Sequence, residues 1–202
     1  MQDQINRIHS ALSSCFNAHD ARCLAGMLFK CMEKESTTYA ELQTDCADKD
    51  DHILTLFKQR VLIPIYSGTG SAWEEKSLQL VPEETYFMPP VARSMLRFCA
   101  WSARPDAEQA LTGVLSVCPA VDVQPIVRLV MRSLQHTRAY RLEAGLFGAL
   151  ARELGLELDL HQTVDLLAAQ GVLSPCKGLA MSSGISWYEL NPCLFWTQDV
   201  QH

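Results

Sequence analysis

HILTLFKQRVLIPIYSGTG, residues 52–70, is the stretch whose reading decides the fold. Ile53, Leu56 and Phe57 share one face of a helix, whereas VLIPIY is rich in β-branched residues and carries Pro64. That change of pattern ends a helix and favours extended chain. SGTGS at 67–71 then supplies the backbone freedom of a hairpin tip. Beyond it, SLQLV at 77–81 alternates Leu78 and Leu80 with polar neighbours, the pattern of a half-buried returning strand.

Working upstream, Asp48 is placed to cap the helix that carries Ile53, Leu56 and Phe57. STTYAELQ puts Thr38 and Glu41 at capping-box spacing, predicting a short helix over about 39–46. Leu24, Met27, Leu28 and Cys31 form the stripe of a helix capped by Asn17 or Asp20, and Ile5, Ile8, Leu12 and Cys15 that of one over about 3–16.

Helix, short helix, helix, strand, Gly-rich tip, strand: across roughly residues 20–88 this order resembles the winged-helix family, a helix-turn-helix variant with a β-hairpin wing. The resemblance rests on order and spacing, without a diagnostic motif.

TVDLLAAQGVLSPCKGLAMSSG, residues 163–184, repeats the pattern. A shift of 111 residues sets Leu56 on Leu167, Gln59 on Gln170, Val61 on Val172, Leu62 on Leu173 and Pro64 on Pro175, with Ile53 on Val164. Trp73 and Trp187 differ by 114, which lengthens the second wing by three residues. AGMLF at 25 and AGLF at 144 correspond only at a shift of 119, which would shorten the second copy and delete its middle helix. Between the copies, Pro89-Pro90 makes a stiff boundary, and Pro105-Asp106 and Asp122-Pro125 open two helices with regular apolar stripes. The expected fold is therefore mainly α with small β-hairpins: a winged-helix-like module over 1–89, a helical linker or dimerisation segment over 90–136, and a second winged-helix-like module over 137–202.

Composition is that of a soluble globular chain: 48% apolar and 20% charged over 202 residues, enough for one large domain or two small ones. No apolar run reaches the roughly 20 residues of a membrane span, and the polar N-terminus lacks a signal-peptide core, so a cytoplasmic protein without a membrane partner is expected. The 8 cysteines are too sparse for a small stapled domain and include no CxxC pair of a zinc ribbon or thioredoxin-type site, so most are expected as buried thiols.

The absence of GxSxG, GxxxxGK[ST], HExxH and GxGxxG predicts a non-enzyme without a cofactor. Cys15, His19 and Cys23 recur every four residues as soft metal ligands would, but a fourth ligand is lacking and the stretch breaks between helices. Trp73 and Trp187 flank the expected wings as hairpin anchors, and CLFWTQ at 193–198 reads as a closing strand or docking segment.

The winged-helix resemblance implies double-stranded DNA as partner and transcription regulation as role, with the third helix entering the major groove. Charge pulls the other way. Net charge is −6, with 8 Lys+Arg against 13 Asp+Glu in residues 1–89, and Asp48, Asp50 and Asp51 stand where phosphates would approach. The expected nucleic-acid contacts are Arg93, Arg97 and Arg104, close together on an ideal helical projection, with Arg128 and Arg132, and His161, Gln162 and Thr163 at the start of the second copy's third helix. The competing expectation is an acidic tandem adaptor that binds another protein, or itself through the helical segment.

Overall fold

The computed structural model describes residues 1–42, 48–66, 72–118, 122–176 and 187–196. The protein is mainly helical, with two small antiparallel sheets. Its elements run α1 (Gln2–Leu12), α2 (Ala18–Met32), β1 (Ser36–Thr38), a 3-10 turn (Tyr39–Glu41), α3 (Lys49–Lys58), β2 (Ile63–Pro64), a second 3-10 turn (Trp73–Glu75), β3 (Thr85–Phe87) and α4 (Pro90–Ser102). Then come α5 (Ala107–Leu115), α6 (Val123–Leu134), β4 (Arg141–Glu143), α7 (Ala144–Glu153), α8 (Leu160–Ala169), β5 (Leu173–Cys176), β6 (Trp187–Leu190) and a last 3-10 turn (Pro192–Phe195).

Local chemistry sets many of these boundaries. Asn17, Asp106, Asp122 and Asp159 each accept a backbone N–H in the first turn of α2, α5, α6 and α8, satisfying donors a bare helix start leaves orphaned. Pro90 opens α4 at the position that loses nothing by lacking an N–H. The Thr38–Glu41 capping box forms as expected, but it starts a single 3-10 turn; residues 43–46 of the expected short helix lie outside the described residues.

The two sheets have one topology. In each, the last strand in sequence is central: β1-β3-β2 and β4-β6-β5. Pro64 faces Tyr86 in the first and Pro175 faces Tyr188 in the second, so the prolines take edge strands, where a missing donor is tolerated. The element run α2–β1–turn–α3–β2–β3 thus has a counterpart in α6–β4–α7–α8–β5–β6.

Four sequence expectations are corrected. SLQLV is not the returning strand; Leu80 and Val81 are exposed, and the chain pairs seven residues on, where Tyr86 is fully buried. AGMLF lies in α2, before β1, whereas AGLF opens α7, after β4, so the 119 shift joins unlike elements and the second half keeps a full middle helix. Helix α1 ends at Leu12, short of Cys15. Helix α4 ends at Ser102, with Ala103 left-handed at φ 60°, so Arg104 is off the helical stripe that carries Arg93 and Arg97. The tip residues 67–71 and 177–186 lie outside the described residues.

One apolar core runs through the molecule, from Ile8 and Leu28 through Met95 and Val130 to Leu194. Helix α4 packs on α1, α2 and α5, and α6 on α5 and α7. The docking expected of the 193–198 segment holds for its described part: Trp196 is buried against Phe16, ring centroids 6.0 Å apart. Trp73 is likewise buried, its backbone N–H donating to Ser174 Oγ at 3.0 Å, whereas Trp187, expected as the matching anchor, is 38% exposed. No helix among the described residues is long and apolar enough to cross a membrane.

Candidate functional site

Helices α3 and α8 stand 111 residues apart from first residue to last, and both end in the same hydrogen-bonded turn. Val61 N donates to Leu56 O and Arg60 N to Phe57 O; Val172 N donates to Leu167 O and Gly171 N to Ala168 O. This pair of bonds needs a left-handed residue just past the helix, and Arg60 and Gly171 supply it at φ 52° and 67°.

These two turns meet at one side chain. Fully buried Asn191 donates through Nδ2 to Arg60 O at 3.2 Å and to Gly171 O at 3.1 Å. Arg60 Nε donates to Glu189 at 2.8 Å in a largely buried ion pair, and Trp196 Nε1 reaches Gln59 Oε1 at 3.4 Å. In the reverse direction, Val91 N donates to Gln170 O at 3.0 Å. The chain after each sheet's central strand therefore holds the helix end of the other half.

The free faces of α3 and α8 are poor in positive charge. Asp50 accepts from Tyr39 Oη at 2.6 Å, a bond that pushes the Tyr39 hydroxyl above its ordinary pKa. Lys49 donates to Tyr39 O at 2.7 Å and sits 3.7 Å over the Tyr39 ring, so its charge is already engaged. Glu41 is held at about 2, first by the Thr38 backbone N–H and then by Lys34 and the Thr38 hydroxyl. On α8, His161 pairs with Asp165 at 3.0 Å, and Gln162 is exposed. Thr163, expected to face a base, is buried, and its hydroxyl donates back to Asp159 O at 2.8 Å.

The arginines divide among different neighbours. Arg93 Nη2 donates to Lys34 O at 2.6 Å, closing the turn after α2, while its Nε is buried without an acceptor. Arg132 is committed to Glu153 at 3.1 Å and Gln135 at 2.8 Å. Arg97, Arg104 and Arg128 are exposed, with no carboxylate partner among the described ion pairs.

Arg93 and Arg97 come together on a groove of about 790 Å³ between α4, the end of α5 and the end of α8. Met88, Pro90, Val114 and Val117 give it an apolar lining. One turn beyond Arg97 on α4, Trp101 is 74% exposed, and Val117 is 70% exposed. Sequence reasoning found the arginines but passed over Trp101, although its place four residues after Arg97 was readable. The groove itself was invisible, because α8 enters it from 70 residues away.

The described free thiols are not poised as nucleophiles, and one cysteine departs from the expected buried thiols by forming a disulfide. Burial pushes the Cys31 and Cys176 thiols up to about 11 and Cys99 up to about 12, the opposite of a reactive thiolate. Cys23 is disulfide-bonded, and no group of three or more metal-ligating side chains occurs among the described residues, so Cys15, His19 and Cys23 do not assemble a metal site there.

Comparison with protein-family models, curated proteins and solved structures found no match.

Proposed function

We propose that this chain is a non-enzymatic adaptor that binds another protein, built from two winged-helix-like units joined back to back through the ends of their third helices. The winged-helix part of the reading is supported by the order of elements and by the central position of the last strand in both sheets. That is an argument from fold, and it leaves the partner to be argued from the surface.

The observation that carries the adaptor reading is the chemistry of α3 and α8. A helix that enters the major groove presents cations and free hydrogen-bonding side chains at its N-terminal end. Here those ends present Asp50 and Asp51, a His161 tied to Asp165, a buried Thr163 and a Lys49 already engaged. DNA binding with transcription regulation is the second reading, favoured by the exposure of Arg97, Arg104 and Arg128.

Fluorescence anisotropy of a labelled random-sequence duplex, titrated across salt concentrations, separates the two. The adaptor reading expects no salt-dependent binding. Binding whose log K falls with log[salt] at about −0.9 per phosphate contact would replace it with the DNA reading.

A further inference from the structure

The groove beside α4 combines three features. It is a local positive spot on a negative molecule: Arg93 and Arg97 line it against a single carboxylate, Glu35, while the chain as a whole carries −6. Its volume, about 790 Å³, lies within the range that holds a small ligand or a few side chains of a bound segment. Its lining beside the arginines is largely apolar, with Met88, Val114 and Val117 alongside the polar Ser94 and Gln170.

Arg93 adds a second observation. Buried donors in folded proteins almost always have acceptors, and a guanidinium cannot escape by losing its proton. The Arg93 fork is half used: Nη2 holds the carbonyls after α2, and Nε is buried with no acceptor. Nε itself is enclosed, so a carboxylate in the groove would meet the guanidinium through its charge rather than through that donor. Along the same helix, Arg97 and then Trp101 extend the stripe in single-turn steps. Tryptophan and arginine are the residue types that carry most of the energy at protein interfaces. Trp101 stands 74% exposed, with the Phe98 ring beside it at 6.1 Å.

We infer that this groove, continued along α4 by Trp101, is the docking site for an acidic amphipathic segment of a partner protein, with carboxylates on Arg93 and Arg97 and apolar side chains against Val114, Val117 and Trp101. The inference rests on the adaptor reading and names its surface. Charge complementarity selects the partner: an acidic segment is attracted here and repelled by the residues 1–89, where carboxylates outnumber cations.

The test is selection of a random 12-residue peptide display library on the full-length chain, followed by anisotropy of the labelled winning peptides. Arg97→Glu, Val117→Glu and Trp101→Ala serve as comparison proteins, since all three positions are exposed and the substitutions leave the core intact. The expected winners pair Asp or Glu with Leu, Phe or similar residues, and each variant weakens their binding by about tenfold or more. An empty selection, or winners without acidic residues, overturns the inference. Winners that bind all three variants as well as the unaltered chain overturn the groove but leave the adaptor reading standing. Salt-dependent duplex binding that Arg97→Glu abolishes overturns both and gives the groove to phosphates.

Discussion

The two helix-end turns do the same geometric task with opposite residues. At Gly171 the left-handed turn carries no side chain, and none would fit: a Cβ there would stand 2.5 Å from Pro89 Cβ. At Arg60 the chain accepts a non-glycine residue at φ 52°, a conformation that costs an L-residue about 1–2 kcal/mol. What offsets the strain is the side chain itself, which crosses to Glu189 in a pair whose members are 15% and 10% exposed. One turn is built for approach and the other for reach. A repeated backbone motif therefore need not keep its residues; it keeps its φ angles and reassigns the side chain.

That comparison can be broken at its strongest point by Arg60→Ala. Glu189 would remain buried without its cation, so urea denaturation should show a loss of about 4 kcal/mol. A loss below about 1 kcal/mol would mean that the pair is not what stabilises the strained turn. Asn191→Ala removes both carbonyl contacts and the bond from Cys193 N, three hydrogen bonds at roughly 1 kcal/mol each, for about 3 kcal/mol. Because Asn191 serves both turns, hydrogen exchange at the Val61 and Val172 amides should accelerate together; acceleration of one alone would refute the shared clasp. Gly171→Ala adds a left-handed penalty to a clash with Pro89, about 2 kcal/mol by thermal denaturation.

The smallest effect concerns the middle elements. Glu41 sits well below the usual carboxylate value of 4.5, at about 2, so its ionised form favours the folded state. That contribution is present above pH 4.5 and is lost as pH falls toward 2. The cap residue of α7, Glu143, makes no comparable side-chain bond. Glu41→Gln should therefore flatten the acid limb of a stability–pH profile.

How much of this was legible depended on sequence distance. The caps at Asp106 and Asp122, and Asn17 as one of two candidates, are legible because a cap is decided within three residues, whereas Asp48 starts α3 without a side-chain cap bond. The 111-residue shift was readable from Leu56, Val61 and Pro64, and it matches α3 to α8 end to end. The returning strand was misplaced because SLQLV alternates convincingly, yet only TYF finds strands on both sides of it. Strands β1 and β4, three residues each, are too short to carry a period and exist only through their partners. For the site, Arg93 and Arg97 were named, but the groove they line depends on α8, and the fate of Thr163 depends on its own helix's first turn. Pattern reports which face of a helix is polar; it does not report what lies opposite.

The clasp around Arg60 also has a consequence in time. Its side chain bonds Glu189 at a separation of 129 residues, its carbonyl bonds Asn191 at 131, and the neighbouring Gln59 meets Trp196 at 137. At a synthesis rate of 5–20 residues per second, α3 waits on the order of 10 s after it is made before the groups that secure its end exist. Through that interval the strained turn has only its local bonds to Leu56 and Phe57, so this protein completes its N-terminal half only when the ribosome has finished most of the other.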